Sequence, residues 1–366
     1  MATTQKLAII DADAHVVESE RTWDYLEPAE EKYRPVLVSA PNDPTLEDWL
    51  VEHKIRGFRF KSFDEQEAAA LSAKAGKHLE GQRARREMAD VQLRLRHLDE
   101  LGIDVQVLFQ TMWIERVADT PDVEAALCRS WNRWLADIWQ QGEGRLRWCC
   151  VVPTLTLSEA TAQMAYAKDH GAVAVGIRPI EGDRLISDPY FYPLYEAAQR
   201  LDLAVAIHIA NGNPAMNDLF TSPVDPVSSN GFAKFRAPTV TACHTLLMSQ
   251  LPHLFPDVRW GFIEASAQWV PWIVREARVR HDALGTELPD EPFREWNIFV
   301  TAQTDDDIPY LLTQGLGDNL LIGTDYGHFD PSSDIDAISV FRDTTPISQS
   351  AKDKVLHHNP KRLYGL

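Results

Sequence analysis

Eight short apolar segments recur along the chain, and a predicted helix follows each of them. Short apolar runs that alternate with helices are typical of parallel strands buried on both faces. Eight such units predict an α/β protein, a closed (β/α)8 TIM barrel, rather than an open doubly wound sheet. No Gly-x-Gly-x-x-Gly motif follows any segment, which argues against a dinucleotide-binding fold. The predicted strands are residues 7–10, 105–109, 147–152, 172–177, 203–207, 258–263, 298–300 and 320–322.

Two stretches interrupt this alternation. Residues 24–90 are broken by four prolines, and a polar helical stretch at 78–101 ends at Gly102, so we predict an inserted helical excursion after strand one. Residues 210–233 are rich in Asn, Gly, Pro and Ser and predict a long loop at the barrel mouth. The length would allow two domains, but α/β barrels often use this much chain, so one domain over 1–366 is predicted.

The charge balance limits the partners that the surface can bind. Lys and Arg total 36 against 54 Asp and Glu, which gives a formal net charge of −18. Such a surface repels nucleic acid and anionic membranes, so we expect a small-molecule substrate. The four cysteines form no Cys-x-x-Cys pair, and no apolar run is long enough for a signal sequence or a membrane span. These features predict a reduced, cytoplasmic protein.

Ionisable and polar side chains follow most of the predicted strands. Because active sites of such barrels lie at the carboxyl ends of the strands, these side chains are expected to converge on one face. They are Asp11, Asp13, His15 and Glu18 after strand one, Gln110 and Trp113 after strand two, Arg178 after strand four, His208 after strand five, Glu264 after strand six, Thr301 and Gln303 after strand seven, and Asp325 and His328 after strand eight.

Two histidines and a carboxylate from different strands form a donor set suited to a divalent metal. His15, His208 and Asp325 would supply two neutral imidazole nitrogens and a carboxylate oxygen, which suit Zn²⁺ or Mn²⁺. A single histidine at a strand end is more often a hydrogen-bonded structural residue. The joint occurrence at strands one, five and eight is the stronger indication, and it predicts one divalent metal ion.

The motifs at these strand ends resemble those of a known family. The sequences "DADAH" at 11–15, "IH" at 207–208, "FPDVRW" at 255–260 and "GTDYGH" at 323–328 are similar to those of the amidohydrolase superfamily. The resemblance is to the amidohydrolase-related branch, which includes aminocarboxymuconate-semialdehyde decarboxylase and aromatic-acid decarboxylases. It implies a mononuclear metal held by His15, His208 and Asp325. It also implies a homodimer or larger homo-oligomer.

Two positions depart from the family pattern. Asp13 stands where the family has the first histidine of a His-x-His pair, and a carboxylate there favours harder metals such as Mn²⁺ or Mg²⁺. Loss of the metal is the alternative at this position. Glu264 stands where decarboxylase relatives have a histidine that acts on the substrate. It could ligate the metal, act as a general base, or serve as a structural carboxylate paired with an arginine.

Four further residues are candidates for substrate binding. Arg178 could bind a substrate carboxylate, or form a salt bridge to a neighbouring acidic residue. Trp113 could stack on a flat substrate, and His328 could orient either Asp325 or the substrate. Glu18 could orient His15 or serve the pocket.

Three functions follow from these candidates. The first is a metal-dependent hydrolase of a small carboxylated or aromatic substrate, in which Asp325 or Glu264 accepts a proton from metal-activated water and His208 belongs to the catalytic set. The second is non-oxidative decarboxylation, towards which the resemblance leans. Position 264 lacks the histidine of the decarboxylase relatives, which weakens the case for carrying their activity over to this chain. Hydrolysis therefore has a slight advantage. The third is a barrel that has lost its metal and has a binding role.

Overall fold

The computed structural model describes residues 7–39, 46–60, 63–221, 231–329 and 332–366. Eight parallel strands form one nearly closed barrel, in which neighbours along the chain are neighbours in space. This confirms the predicted (β/α)8 architecture. The barrel strands are β1 (Ile10–His15), β2 (Val105–Phe109), β3 (Leu146–Cys150), β4 (Ala172–Ile177), β5 (Ala204–His208), β6 (Trp260–Ile263), β7 (Ile298–Ala302) and β8 (Leu320–Ile322).

Helices flank the barrel strands and enclose most of the core. The eight that follow the strands in turn are α1 (Val91–Leu101), α2 (Pro121–Gln141), α3 (Ala160–Asp169), α4 (Tyr192–Leu201), α5 (Ala237–Met248), α6 (Val270–Leu284), α7 (Ile308–Thr313) and α8 (Ala337–Thr344). Further α-helices span Glu65–Ala75, Arg83–Arg86, Pro214–Leu219, Leu251–Leu254, Pro292–Glu295, Gln349–Asp353 and Asn359–Tyr364. No helix within the described ranges is long and apolar enough to cross a membrane.

The first strand differs from its prediction. The apolar run at 7–10 leads into the strand, but β1 itself is Ile10–His15, and all six of its residues are buried. The charged motif is therefore part of the strand and does not follow it. In the barrel, these side chains meet hydrogen-bonding partners and other candidate ligands from distant segments. A local hydrophobicity pattern contains no information about such partners.

The seam between β1 and β8 closes the barrel. A single bridge, Ala14 to Tyr326, joins the two segments within the described residues. Asp325 N donates to Asp13 O over 2.9 Å, and His15 N donates to Tyr326 O over 2.8 Å. This seam matters for function because both of its sides carry predicted metal ligands.

The excursion after β1 contains helices, as predicted, and also a three-stranded antiparallel sheet. Its strands are Val36–Ser39, Leu46–Val51 and Lys54–Phe60. The last two are joined by Glu52 and His53, both with positive φ (50° and 64°), in a tight turn that usually contains Gly or Asn. The sequence lacks the usual glycine signal for this hairpin.

The other interruption, predicted as a loop at 210–233, is described only in part. Pro214–Leu219 is a short helix, and a π-helical turn at Phe232–Arg236 leads into α5. Residues 222–230 lie outside the described ranges. The assignment of the whole chain to a single domain stays a prediction.

Candidate metal centre

Six side chains with metal-binding atoms converge at the carboxyl ends of the barrel strands. Their ligand atoms form two overlapping groups, and within each group they all lie within 4.8 Å of one another. Five of the six side chains are buried, and His328 is half-buried. The first group is Asp13, His15, His208 and Glu264, and the second is His15, Glu264, Asp325 and His328.

The spacing of these atoms suits a single ion. His15 Nε2 lies 3.4 Å from Asp325 Oδ1 and 3.6 Å from both Asp13 Oδ1 and Glu264 Oε2. His208 Nε2 lies 3.2 Å from Glu264 Oε2 and 3.4 Å from Asp13 Oδ1. In an octahedral site with bonds of about 2.1 Å, adjacent donors are about 3 Å apart. Within each of the two groups, the donors therefore need only a small inward shift to bind a common ion.

His15 is oriented as a ligand. Its Nδ1–H donates to the Gln110 carbonyl oxygen over 3.0 Å, which directs Nε2 into the cluster. Among the described residues, Nε2 is a buried nitrogen without a hydrogen-bond partner. Burial is the main cause that holds the pKa of His15 well below its ordinary value, so the ring is neutral. A neutral imidazole anchored through one nitrogen is the form that binds metals in proteins.

Asp325 is held by two neighbours on the loop after β8. Ser333 Oγ donates to Asp325 Oδ2 over 2.6 Å, and His328 Nδ1 lies 2.8 Å from Asp325 Oδ1. The other His328 nitrogen, Nε2, lies 3.0 Å from Thr111 Oγ1, whose own hydrogen is donated to the Val16 carbonyl. Nε2 is therefore the donor to Thr111, and Nδ1 faces the carboxylate of Asp325.

Two carboxylates of the cluster have a strained backbone. Glu264 and Asp325 both have positive φ, 67° and 47°. Such conformations are unfavourable for residues with a side chain and persist where the surrounding structure imposes them. The fold thus holds both carboxylates in position at an energetic cost.

Asp11 lies outside the cluster and supports it. Its Oδ2 accepts hydrogen bonds from Thr324 Oγ1 (2.6 Å) and Gln106 Nε2 (2.7 Å), and its Oδ1 accepts one from Thr324 N (2.9 Å). Burial raises the pKa of Asp11 to about 6. These bonds tie β1 to both of its neighbouring strands directly behind the ligands.

A comparison with protein families matches this chain almost from end to end. The family described as Amidohydrolase covers residues 10–366. The chain belongs to the amidohydrolase family. The resemblance inferred from the strand-end motifs is therefore confirmed.

Solved structures with the same fold include two proteins named as decarboxylases. An amidohydrolase from Mycobacterium avium subsp. paratuberculosis K-10 has a TM-score of 0.79 and 16% identity, over 99% of each chain. A 5-carboxyvanillate decarboxylase from Novosphingobium aromaticivorans, with bound manganese, has a TM-score of 0.69 and 16% identity, and the match covers 100% of this chain and 99% of that one. A dihydroxybenzoic acid decarboxylase from Polaromonas sp. JS666, also with manganese, has a TM-score of 0.64 and 18% identity, and the match covers 99% of this chain and 98% of that one.

Glu18 of this amidohydrolase lies beside the cluster, against the loop after β2. Its carboxylate accepts hydrogen bonds from Thr111 N (3.1 Å), Met112 N (3.1 Å) and Trp131 Nε1 (3.0 Å). Burial raises the pKa of Glu18 to about 7. The side chain braces the loop that carries Thr111, and a role in substrate binding stays a prediction.

Arg178 forms the salt bridge that the sequence left as an alternative. Its Nε and Nη2 donate to Glu181 Oε2 over 2.9 Å and 2.7 Å. Nη2 also donates to Thr154 Oγ1, and Nη1 donates to the carbonyls of Trp113 and Glu115. The five N–H groups of the guanidinium are thus all directed at the protein. Binding of a substrate by Arg178 stays a prediction and would require some of these bonds to break.

A cavity of about 800 Å³ is lined by residues of the excursion, of the loop after β2 and of the turn before α5. A smaller cavity, lined by His15, His208, Trp113 and Arg178, lies next to it, and the two share Thr111, Ile114 and Ile209. The excursion contributes Ile55, Gly57 and Phe58 to the wall of the larger cavity. The wall of the larger cavity thus includes residues of the excursion.

Three basic residues in this wall were not identified from the sequence. Lys234 pairs with Glu115 over 2.5 Å, and Arg56 pairs with Asp119 over 2.6 Å. Arg236 instead donates to two neutral oxygens, Gln303 Oε1 (3.3 Å) and Ser332 Oγ (2.9 Å), and no described carboxylate forms an ion pair with it. Arg56 lies on the excursion, and Arg236 lies just after the predicted loop. In both places, hydrophobic periodicity does not predict which way a side chain is directed.

Proposed function

We propose that this amidohydrolase is a metal-dependent, non-oxidative decarboxylase of a small aromatic or unsaturated carboxylic acid. The observation that carries the proposal is the buried set of three carboxylates and two imidazoles, whose two imidazoles line a small cavity that adjoins a larger one with a basic wall. Neighbours of the same fold are named as decarboxylases and contain manganese, which favours this reaction over the hydrolysis that the sequence slightly preferred.

The donor set favours manganese over zinc. Asp13, His15, His208 and Asp325 would hold the ion, with Glu264 as a fifth ligand. Oxygen-rich sites with more than four donors suit Mn²⁺, whereas Zn²⁺ prefers four donors and more nitrogen or sulfur. When bound, the metal would supply positive charge that holds the substrate carboxylate and an adjacent oxygen.

The residues of the chain then have to deliver one proton. Decarboxylation breaks the bond between the ring carbon and the carboxyl carbon, releases CO₂ and leaves the electron pair on the ring carbon, which takes up a proton. We assign the delivery of this proton to the His328–Asp325 pair, which lies at the edge of the cluster. The side chain of His328 is 14% exposed, so the pair can be reprotonated from solvent after each turnover.

The cavity wall indicates how the substrate would be held. Apolar side chains of Phe58, Met112, Ile209 and Phe235 offer surfaces for a flat ring. Arg236 carries a positive charge that the described residues do not neutralise, and a guanidinium binds carboxylates well. We therefore assign Arg236 to an anionic group of the substrate.

Hydrolysis is the second candidate, and Glu264 is the observation that favours it. Its carboxylate lies 3.2 Å from His208 Nε2, inside the cluster, where it could accept a proton from a bound water molecule. A glutamate in this position does not reproduce the substrate-directed histidine that the decarboxylase pattern implies.

One experiment separates these functions. Purified protein would be supplied with Mn²⁺ and tested against hydroxybenzoic acids for CO₂ release, and against aryl amides and esters for hydrolysis. CO₂ release that is abolished by EDTA and by His208→Ala supports the proposal. Hydrolysis without CO₂ release would favour the second candidate. Absence of stoichiometric metal, with ligand binding unchanged by EDTA, would overturn the proposal and favour a metal-free barrel with a binding role.

The His208→Ala test needs a matched control. His358 is an exposed histidine on the last π-helical turn, far from the cluster in the fold. The His358→Ala variant should bind Mn²⁺ and turn over substrate as the wild type does. Turnover retained by His208→Ala would overturn the assignment of that residue.

A further inference from the structure

Arg94 on α1 is a fully buried cation at the seam of the barrel. It is 0% exposed, and no ion pair joins it to a carboxylate among the described residues. Burial lowers the pKa of Arg94, yet a guanidinium in a protein keeps its charge. A buried charge with only neutral direct partners is costly, so its retention points to a specific task.

The seam is where such a task exists. Other neighbouring strands in the barrel are joined by ladders. The segment after β8 instead meets β1 at the single described bridge between Ala14 and Tyr326, and at the bonds that Thr324 N and Asp325 N donate to Asp13 O. Metal-binding side chains stand on both sides, Asp13 and His15 on one and Asp325 on the other. Their separation therefore depends on more than regular strand pairing.

Arg94 contacts both sides of the seam. On the β1 side, its Nη2 donates to the carbonyl oxygen of His15 over 3.1 Å. On the β8 side, its Cζ lies 3.4 Å from the centroid of the Tyr326 ring, a cation–π contact with the residue next to Asp325. A single planar group thus touches the backbone of one ligand and the sequence neighbour of another.

A second path leads from the same guanidinium to the seam. Arg94 Nε donates to Gln106 Oε1 over 2.8 Å, and Gln106 Nε2 donates to Asp11 Oδ2 over 2.7 Å. Asp11 Oδ2 also accepts the hydroxyl hydrogen of Thr324 over 2.6 Å. The chain of bonds therefore returns to the loop that presents Asp325.

The Tyr326 ring is itself held in place. Its hydroxyl donates to Glu80 Oε2 over 2.8 Å and accepts from His97 Nδ1 over 2.7 Å. Arg85 donates to the same Glu80 oxygen over 3.2 Å. The ring consequently presents a fixed face to the guanidinium, and displacement of either group would be transmitted to the other.

We propose that Arg94 is a positioning residue that sets the distance between the metal ligands of β1 and those of β8. It acts through the carbonyl of His15 and the ring of Tyr326, and it touches neither the ion nor the substrate. The inference rests on the proposed metal centre.

The test measures Mn²⁺ affinity and not activity. Arg94→Met keeps the length of the side chain but removes the charge and the donors, and Arg94→Lys keeps the charge without the planar fork. Electron paramagnetic resonance of free Mn²⁺ during titration gives the dissociation constant. We expect Arg94→Met to raise it 10- to 100-fold, as for removal of other groups that orient ligands, and Arg94→Lys to fall between. The spectrum of bound Mn²⁺ should broaden in Arg94→Met.

Arg96 provides a matched control, because it is exposed on the same helix two residues away. Arg96→Met should leave the dissociation constant unchanged. A lowered melting temperature of Arg94→Met with unchanged Mn²⁺ affinity would show a purely structural role and overturn the inference. If Arg94→Met does not fold, wild-type affinity in Arg94→Lys overturns it and weakened affinity supports it. Failure of the wild-type protein to bind Mn²⁺ would instead overturn the proposed function.

Discussion

Gly323 and Asp13 lie in such close approach that a Cβ atom at position 323 would stand 2.3 Å from the Cβ of Asp13. Real Cβ atoms do not come this close, so a side chain at 323 must push β1 and the loop after β8 apart. The absence of a side chain at one position thus allows a carboxylate on the neighbouring strand to reach the cluster.

This relationship predicts the effect of Gly323→Ala. The added methyl group should displace Asp13, lower the free energy of unfolding by about 1–3 kcal/mol and reduce Mn²⁺ binding. Thermal unfolding and metal content after dialysis measure the two effects. Gly317→Ala is the control, because its Cβ would meet only the Leu312 side chain at 3.6 Å. Full metal content in Gly323→Ala would show that Asp13 is not needed as a ligand.

Asp13→His should change the metal preference. The substitution restores the imidazole of the family pattern and removes one of the negative charges, which makes the site softer. We expect the ratio of the Zn²⁺ and Mn²⁺ affinities to rise at least about tenfold, measured by competition with a chromophoric chelator. Asp13→Asn removes the charge without adding a nitrogen ligand, so it should weaken the binding of both Zn²⁺ and Mn²⁺. An unchanged ratio in Asp13→His would mean that position 13 does not contact the ion.

Glu18 should contribute a pH dependence to stability. Its pKa rises from the ordinary value of 4.5 to about 7 on folding because of burial. Between these values the folded state binds more protons than the unfolded state, so stability should fall as the pH rises from 4.5 to 7 and then level off. The contribution is roughly 2–3 kcal/mol.

Glu18→Gln tests this dependence. Asp11, whose pKa burial raises to about 6, adds a change of the same sign, so the wild type and the variant must be compared across pH. The difference in unfolding free energy between pH 4.5 and pH 7.5 should be smaller in Glu18→Gln by the contribution of Glu18. Parallel pH profiles for the two proteins would contradict the prediction.

Arg236→Met should weaken substrate binding. Loss of a charge-assisted hydrogen bond of about 1.5–3 kcal/mol corresponds to an increase in KM of about 10- to 100-fold, with a smaller change in kcat. Lys234→Met is the comparison variant, since Glu115 already neutralises that lysine. Steady-state kinetics with the acid identified in the CO₂ screen gives both constants. Equal effects of the two substitutions would remove the special role of Arg236.

The sequence was sufficient to predict the barrel, and it placed the candidate ligands at the ends of its strands. Apolar runs at the later strands fall on or next to the observed elements, and His208 ends β5 as expected. The first strand was misplaced because Asp11, Asp13 and His15 are buried polar residues, whose partners come from distant segments such as Gln106 and Thr324. A local pattern contains no information about such partners.

Other parts of the site were beyond sequence reasoning for a similar reason. Ser333 contacts Asp325 from a loop without periodicity, and Arg94 lies in a stretch that the sequence predicts only as a polar helix. Arg178 shows the opposite limit. Its position at a strand end was predicted, but only the structure reveals that Glu181 and Thr154 engage its donors.

The β1–β8 seam also affects how the protein acquires its site during folding. Asp11 and Thr324, which are hydrogen-bonded across it, are 313 residues apart in the sequence. Contacts of such long range form late, because the intervening chain must be ordered before they become favourable. A partly formed barrel would have His208 and Glu264 but not the complete donor set. Binding of a metal ion should therefore coincide with closure of the barrel at this seam, and the bound ion would stabilise the closed barrel.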